Sequence, residues 1–140
     1  MNTLIAIASL GVLMSMNMMA QSVEPDPCKL ISPADVSKVL GEGFKKVIAR
    51  GECSFVRGTD SVNMSVRKSP GPVAKVIAPQ RDATQGAKPI TGACEVGFSR
   101  PSGSVLAGKG AWLVLTESRL AGKGDAANAV KMASLLCSKM

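Results

Sequence analysis

Val62-Asn63-Met64-Ser65-Val66-Arg67 alternates apolar and polar residues without a break. Side chains of a strand point to opposite faces in turn. Val62, Met64 and Val66 therefore share a buried face, and Asn63, Ser65 and Arg67 a solvated one. A strand with one wet face belongs in an antiparallel sheet. Its upstream flank reads the same way. Phe44 to Ala49 and Cys53 to Arg57 are strands, separated by Arg50-Gly51-Glu52, and Gly58-Thr59-Asp60 is a turn. Together the three segments predict an antiparallel meander.

Before the meander, Leu30-Ile31-Ser32-Pro33-Ala34-Asp35-Val36 starts a helix. Ser32 fits the N-cap, Pro33 the first helical position, and Asp35 the positive end of the helix dipole. Ile31 and Val36 stand where a hydrophobic staple needs them. Gly41 ends the helix after about nine residues. After the meander, Ser69-Pro70-Gly71-Pro72 breaks the sheet. Val73 to Ala78 reads as one or two helical turns stopped at Pro79, and the polar stretch 80–90 as a loop. Ala93 to Ser99 resumes strand character, with Cys94, Val96 and Phe98 expected on one face. Pro101-Ser102-Gly103 is a turn, and Ser104 to Ala107 returns from it. Ala111 to Thr116 is apolar on both faces, as in a central strand. Asp125 caps a last helix whose inner face carries Ala126, Ala129, Val130, Ala133, Leu136 and Cys137. The prediction is an α+β fold: a mostly antiparallel sheet with N-terminal and C-terminal helices packed on it.

The first twenty residues carry no charged side chain, and Leu4 to Leu13 form an apolar run broken only by Ser9 and Gly11. This run, with Ala20 at the end, reads as a signal peptide over 1–20, leaving 21–140 as one domain. The run is shorter than the ~20 apolar residues a membrane span needs. The chain has four cysteines, Cys28, Cys53, Cys94 and Cys137, all beyond Ala20. An even count in an exported domain predicts two disulfides. Three connectivities are possible. Cys28–Cys53 with Cys94–Cys137 is preferred, because each pair then staples a helix end to a strand. No C-x-x-C spacing points to zinc or redox chemistry. Cross-links suit a core with only three Phe, one Trp and no Tyr.

Seventeen basic against ten acidic residues give a net charge of +7. The bases are scattered; the densest pairs are Lys45-Lys46 and Arg67-Lys68. These four, with Lys123 before the last helix, are the candidate anion contacts. Outside the cytoplasm their partners would be an anionic envelope component or another exported protein, and no nucleic acid is expected. The chain has no histidine. This removes Ser-His-Asp and Cys-His catalysis, and paired cysteines leave no thiol nucleophile. Glu52, Glu95 and Glu117 are the candidates for two-carboxylate hydrolysis. Gly103 to Gly110 approaches the phosphate-binding loop pattern, but Gly110 stands where Ser or Thr should hold magnesium, and a strand follows. It reads as a hairpin connection. Asn63-Met64-Ser65 is a glycosylation sequon inside a strand. No cofactor or metal site is expected.

Pro27-Cys28-Lys29-Leu30-Ile31-Ser32-Pro33-Ala34-Asp35-Val36, then Val39-Leu40-Gly41 and Cys53-Ser54-Phe55, resembles the opening of secreted bacterial domains of unknown function. Many of those are lipoproteins or sensor-like modules. The resemblance implies a compact α+β sandwich and a Cys28–Cys53 bridge, and it implies no activity. Pro27 rather than a small residue precedes Cys28, so lipidation there is not expected. The functional expectation is a periplasmic or secreted, non-enzymatic binding module. An inhibitor of an exported enzyme, acting through the 80–90 stretch, is the alternative, and a carboxylate-dependent hydrolase the third reading.

Overall fold

The computed structural model describes residues 23–49 and 52–140. The signal segment expected over 1–20 lies outside the described residues. Two meanders make the sheet. The first runs through β1 (Lys45–Ala49), β2 (Glu52–Arg57) and β3 (Asp60–Lys68). The second runs through β4 (Lys88–Pro89), β5 (Val96–Ser99), β6 (Ser104–Lys109) and β7 (Trp112–Leu120). They join where β3 and β7 pair, from Ser61↔Arg119 to Lys68↔Trp112. The strand order is β1-β2-β3-β7-β6-β5-β4, and β8 (Lys123–Gly124) pairs with the end of β7. Every pairing among the described residues is antiparallel. The segment expected to be central, Ala111 to Thr116, supplies most of the middle strand.

Strand alternation sorts the core into two halves. Val62, Met64 and Val66 of β3, with Val105, Ala107 and Val114, form the larger half. On it lie α1 (Pro27–Leu30) and α4 (Ala126–Lys139), while α2 (Pro33–Leu40) rests against α4. The opposite face carries Leu106 and Leu113, covered with Phe98 by α3 (Val73–Asp82). The helix ends follow the expected chemistry. Asp35 N–H donates to Ser32 Oγ at 3.2 Å, and Ser32 N–H donates back to Asp35 Oδ2 at 2.9 Å, a closed capping box. Asn128 N–H donates to Asp125 Oδ1 at 2.9 Å to cap α4.

Cys28–Cys53 and Cys94–Cys137 are the disulfides, as preferred. Each staples a helix to the sheet side of the core. A lysine accompanies each: Lys46 Nζ donates to the Cys28 carbonyl at 2.5 Å, and Lys109 Nζ to the Cys137 carbonyl at 2.6 Å. An ammonium at the end of α4 also complements the helix dipole.

Three details depart from the sequence reading. α3 does not stop at Pro79 but continues to Asp82. Pro79 is exposed, so the backbone acceptor it leaves without a partner can face water, while Val73 and Ile77 hold the helix down. The stretch 80–90 is therefore the end of α3, a pair of turns and β4, not a long loop. Finally, Cys94 does not share a face with Val96 and Phe98. It precedes β5 in a bend and packs in the larger core, whereas Val96 and Phe98 pack toward α3.

Gly108 explains how α3 comes so close. A Cβ there would lie 2.5 Å from the Val73 Cβ. Gly108→Ala is expected to push α3 outward and lower stability by about 1–3 kcal/mol. Gly71→Ala, with open space around it, is the control. Urea unfolding of both variants measures the difference. Removing the Cys94–Cys137 bridge with paired Ala substitutions opens a separation of 43 residues, against 25 for Cys28–Cys53. The chain-entropy account assigns such loops about 4 and 3.5 kcal/mol. The first pair of substitutions is therefore expected to depress the midpoint more than the second.

Candidate functional site

α3 covers only the second meander's side of its face. The rest of that face is open, and its side chains fall in transverse rows. One row runs Lys45–Val56–Ser61–Arg119, and the next Val47–Ser54–Asn63–Glu117–Ser104. The residues are mostly polar, and several bond one another. Ser54 Oγ donates to Asn63 Oδ1 at 2.7 Å, and Arg119 lies 3.6 Å from Glu117. The sequon asparagine is thus engaged within the strand layer.

Glu52 on β2 and Glu117 on β7 line one depression from either side of β3, beside Asn63 and Ser65. Its volume is about 60 Å³. Ligand pockets occupy roughly 300–1,000 Å³, several times this volume. Glu95 is elsewhere, accepting the Gly110 N–H at 2.8 Å across the β6–β7 turn. The Gly103 to Gly110 segment is that hairpin, as read from the sequence.

The five candidate cations are not assembled into one patch. Lys45 sits at the edge of the open face. Lys46 points to the other face, with its ammonium on the Cys28 carbonyl and 5.9 Å from the Phe55 ring centre. Arg67 shares the face of Lys45 but pairs with Leu113 at the far end of β3, and Lys68 pairs with Trp112. Lys123 is exposed in β8. The α4 amides beside it already hold a negative group, the Asp125 carboxylate.

A larger concavity lies where sequence reasoning did not place one. β4 is only two residues long, so the sheet ends early while α4 runs past it. The wedge between them has a volume of about 520 Å³. Buried Ile90 and Ser99 form its floor, with half-buried Val130 and Ala126 of α4. Lys88 on β4 and Lys131 on α4 are exposed on opposite walls. Lys88 pairs with Ser99, so both side chains stand on the face toward α4. Among the described residues, neither ammonium has an ion-pair partner, and the Ser99 hydroxyl makes no hydrogen bond. Ala126 and Val130 were assigned to the inner face of the last helix. They are, but the sheet has ended beneath them.

Two carboxylates are tuned by structure rather than by a site. Lys139 Nζ donates to Asp35 Oδ2 at 2.8 Å, tying the end of α4 to the start of α2. That bond first, then the Ser32 N–H and hydroxyl, hold the Asp35 carboxyl far below the usual carboxylate range. The Ala121 N–H first, then the Arg57 guanidinium, lower that of Asp60. Neither lines the α4–β4 groove.

No protein-family model, curated protein or solved structure matches this chain.

Because the folded Asp35 carboxyl is more acidic than the unfolded one, its contribution to stability is fully present above the unfolded value of about 4. It fades as pH falls through the folded value. Thermal melts of the wild type and Asp35→Asn are therefore expected to differ most near neutral pH and to converge in strong acid. A gap that widened on acidification would contradict this assignment.

Proposed function

We propose that the protein is an exported, non-catalytic binding module, and that the groove between α4 and the β4–β5 edge is its ligand site. The observation that carries this reading is the pairing of a mainly apolar floor with two lysines that have no ion-pair partner among the described residues. A ligand suited to it has an aliphatic body and one anionic head, as a medium-chain fatty carboxylate does. The body would lie over Ile90, Ala126 and Val130, removing apolar surface from water at about 25 cal/mol per Å². The head would sit between Lys88 and Lys131, and the Ser99 hydroxyl offers one further polar contact.

Several observations support this reading. The volume falls within the usual range for small ligands. The net charge of +7 favours an anion over a cation. Two disulfides, with no helix among the described residues long and apolar enough to span a membrane, suit an oxidising compartment. The absence of histidine and free thiols narrows the acid–base repertoire that catalysis would draw on. The stretch 80–90, offered above as an inhibitory loop, is held in α3, turns and β4, which gives the inhibitor reading no protruding element.

Titration calorimetry with decanoate, and with decanol as the uncharged comparison, tests the site. Decanoate is expected to bind and decanol to bind more weakly. Lys88→Gln with Lys131→Gln should weaken decanoate about fivefold to thirtyfold, from two exposed contacts of ~0.5–1 kcal/mol each. Equal binding of the two compounds, or an unchanged affinity in the double variant, would refute the reading.

A further inference from the structure

The two edges of the sheet are unlike. β4 ends one side with two residues, one of them Pro89, which has no N–H to offer. β1 ends the other with five residues, and its outer backbone is unpaired among the described residues. Val47 is 47% exposed and Ile48 74% exposed, on opposite faces of that edge. An edge that shows apolar residues beside free backbone groups is a template for another strand. Lysines on an edge normally prevent this. Here both stand at one end of the strand, and the acidic groups cluster at the other.

That arrangement is self-complementary. We infer that β1 is a homodimerisation edge, which pairs antiparallel with β1 of a second copy about a two-fold axis at Val47. In that register Val47 faces Val47 of the second copy, Lys46 faces its Ile48, and Lys45 faces its position 49. Position 49 pairs with Glu52 on β2, so Lys45 of one copy lies on the same face as Glu52 of the other with one strand between them, about 10 Å. On the opposite face, Ile48 lines a hollow of about 220 Å³ together with Glu24 and Asp26. In the paired edge Ile48 of one copy lies across from the half-buried stem of Lys46 of the other, whose ammonium stays on its own Cys28 carbonyl. The two copies of Lys45 stand four residues apart along the strands, about 14 Å. That exceeds the screening length of about 8 Å at physiological salt. A two-fold contact of this kind closes on itself, and the short β4 edge offers no second strand-pairing site for growth. A five-residue edge buries less than the roughly 1,000 Å² of a stable interface, so the dimer is weak.

The inference does not depend on the groove, which lies at the other edge. Sedimentation velocity of the mature chain between about 10 µM and 1 mM tests it. Dimer is expected to rise with concentration. Val47→Lys sets like charges face to face on the axis and should abolish dimerisation while leaving the melting temperature near that of the wild type. Lys45→Glu should weaken the dimer, and adding Glu52→Lys should restore it. Within one chain Lys45 pairs with Val56, four positions along the strand from the Ala49–Glu52 pair, so rescue reports contact between copies. A monomer throughout the range, an unaffected Val47→Lys variant, or no rescue by the charge exchange would each overturn the inference.

Discussion

The pairing of β3 with β7 holds the molecule together. It is the longest ladder in the sheet and, among the described residues, the sole strand pairing between two meanders that are otherwise local. Each meander forms from neighbours in sequence, at small loop-closure cost, whereas β3 and β7 must meet across α3 and three strands. Both faces of the ladder are used at once. Val66 and Val114 are buried toward α4, while Leu113, one residue away, is buried toward α3. A slip of one residue would invert every one of these contacts. The ladder thus fixes which face receives which helix. Through that it also fixes what remains uncovered: the wedge beyond β4, the open rows beside α3, and the outer edge of β1.

A core poor in aromatic rings has to gain its cohesion in other ways. α4 lies close to the sheet because Ala129 and Ala133 are small and fully buried. Thr116, also fully buried, uses its hydroxyl to bond the Ala129 carbonyl at 2.9 Å, so strand and helix are joined by a hydrogen bond inside the apolar layer. Arg57 adds a second clamp. Its guanidinium lies 4.3 Å from the Phe44 ring centre and donates to the Glu42 carbonyl and the Asp60 carboxylate. These contacts tie the approach to β1 to the β2–β3 turn. The disulfides act on the same joints, where helices meet the sheet.

What could be read from the sequence is what local chemistry determines. Ser32, Pro33 and Asp35 state a helix start within four residues, and the alternation from Val62 to Arg67 states a half-buried strand. The cysteine pairing was also legible, because Cys28 stands just before the helix that Ser32 caps, Cys137 on the last helix and Cys53 on a strand, although the short α1 that holds Cys28 was not foreseen. One premise behind it was wrong, since Cys94 reaches Cys137 from a bend before β5. Pro79 misled because its cost depends on whether the helix face it occupies meets water or the core. The groove was not legible at all. Lys88 and Lys131 are ordinary surface lysines until one knows where the sheet stops. The cation pairs Lys45-Lys46 and Arg67-Lys68 are adjacent in sequence but divided between faces, because neighbouring residues in a strand point to opposite sides.

The connectivity of the disulfides has a bearing on how the chain matures. First pairs with second and third with fourth, so neither bridge crosses the other. In a chain that enters an oxidising compartment N-terminus first, Cys28 and Cys53 arrive together with the complete first meander between and just after them. Cys94 then waits alone until Cys137 emerges on α4. Oxidation in simple order of arrival then yields the native bonds. The last helix is locked onto the sheet only after the strands it covers have been delivered.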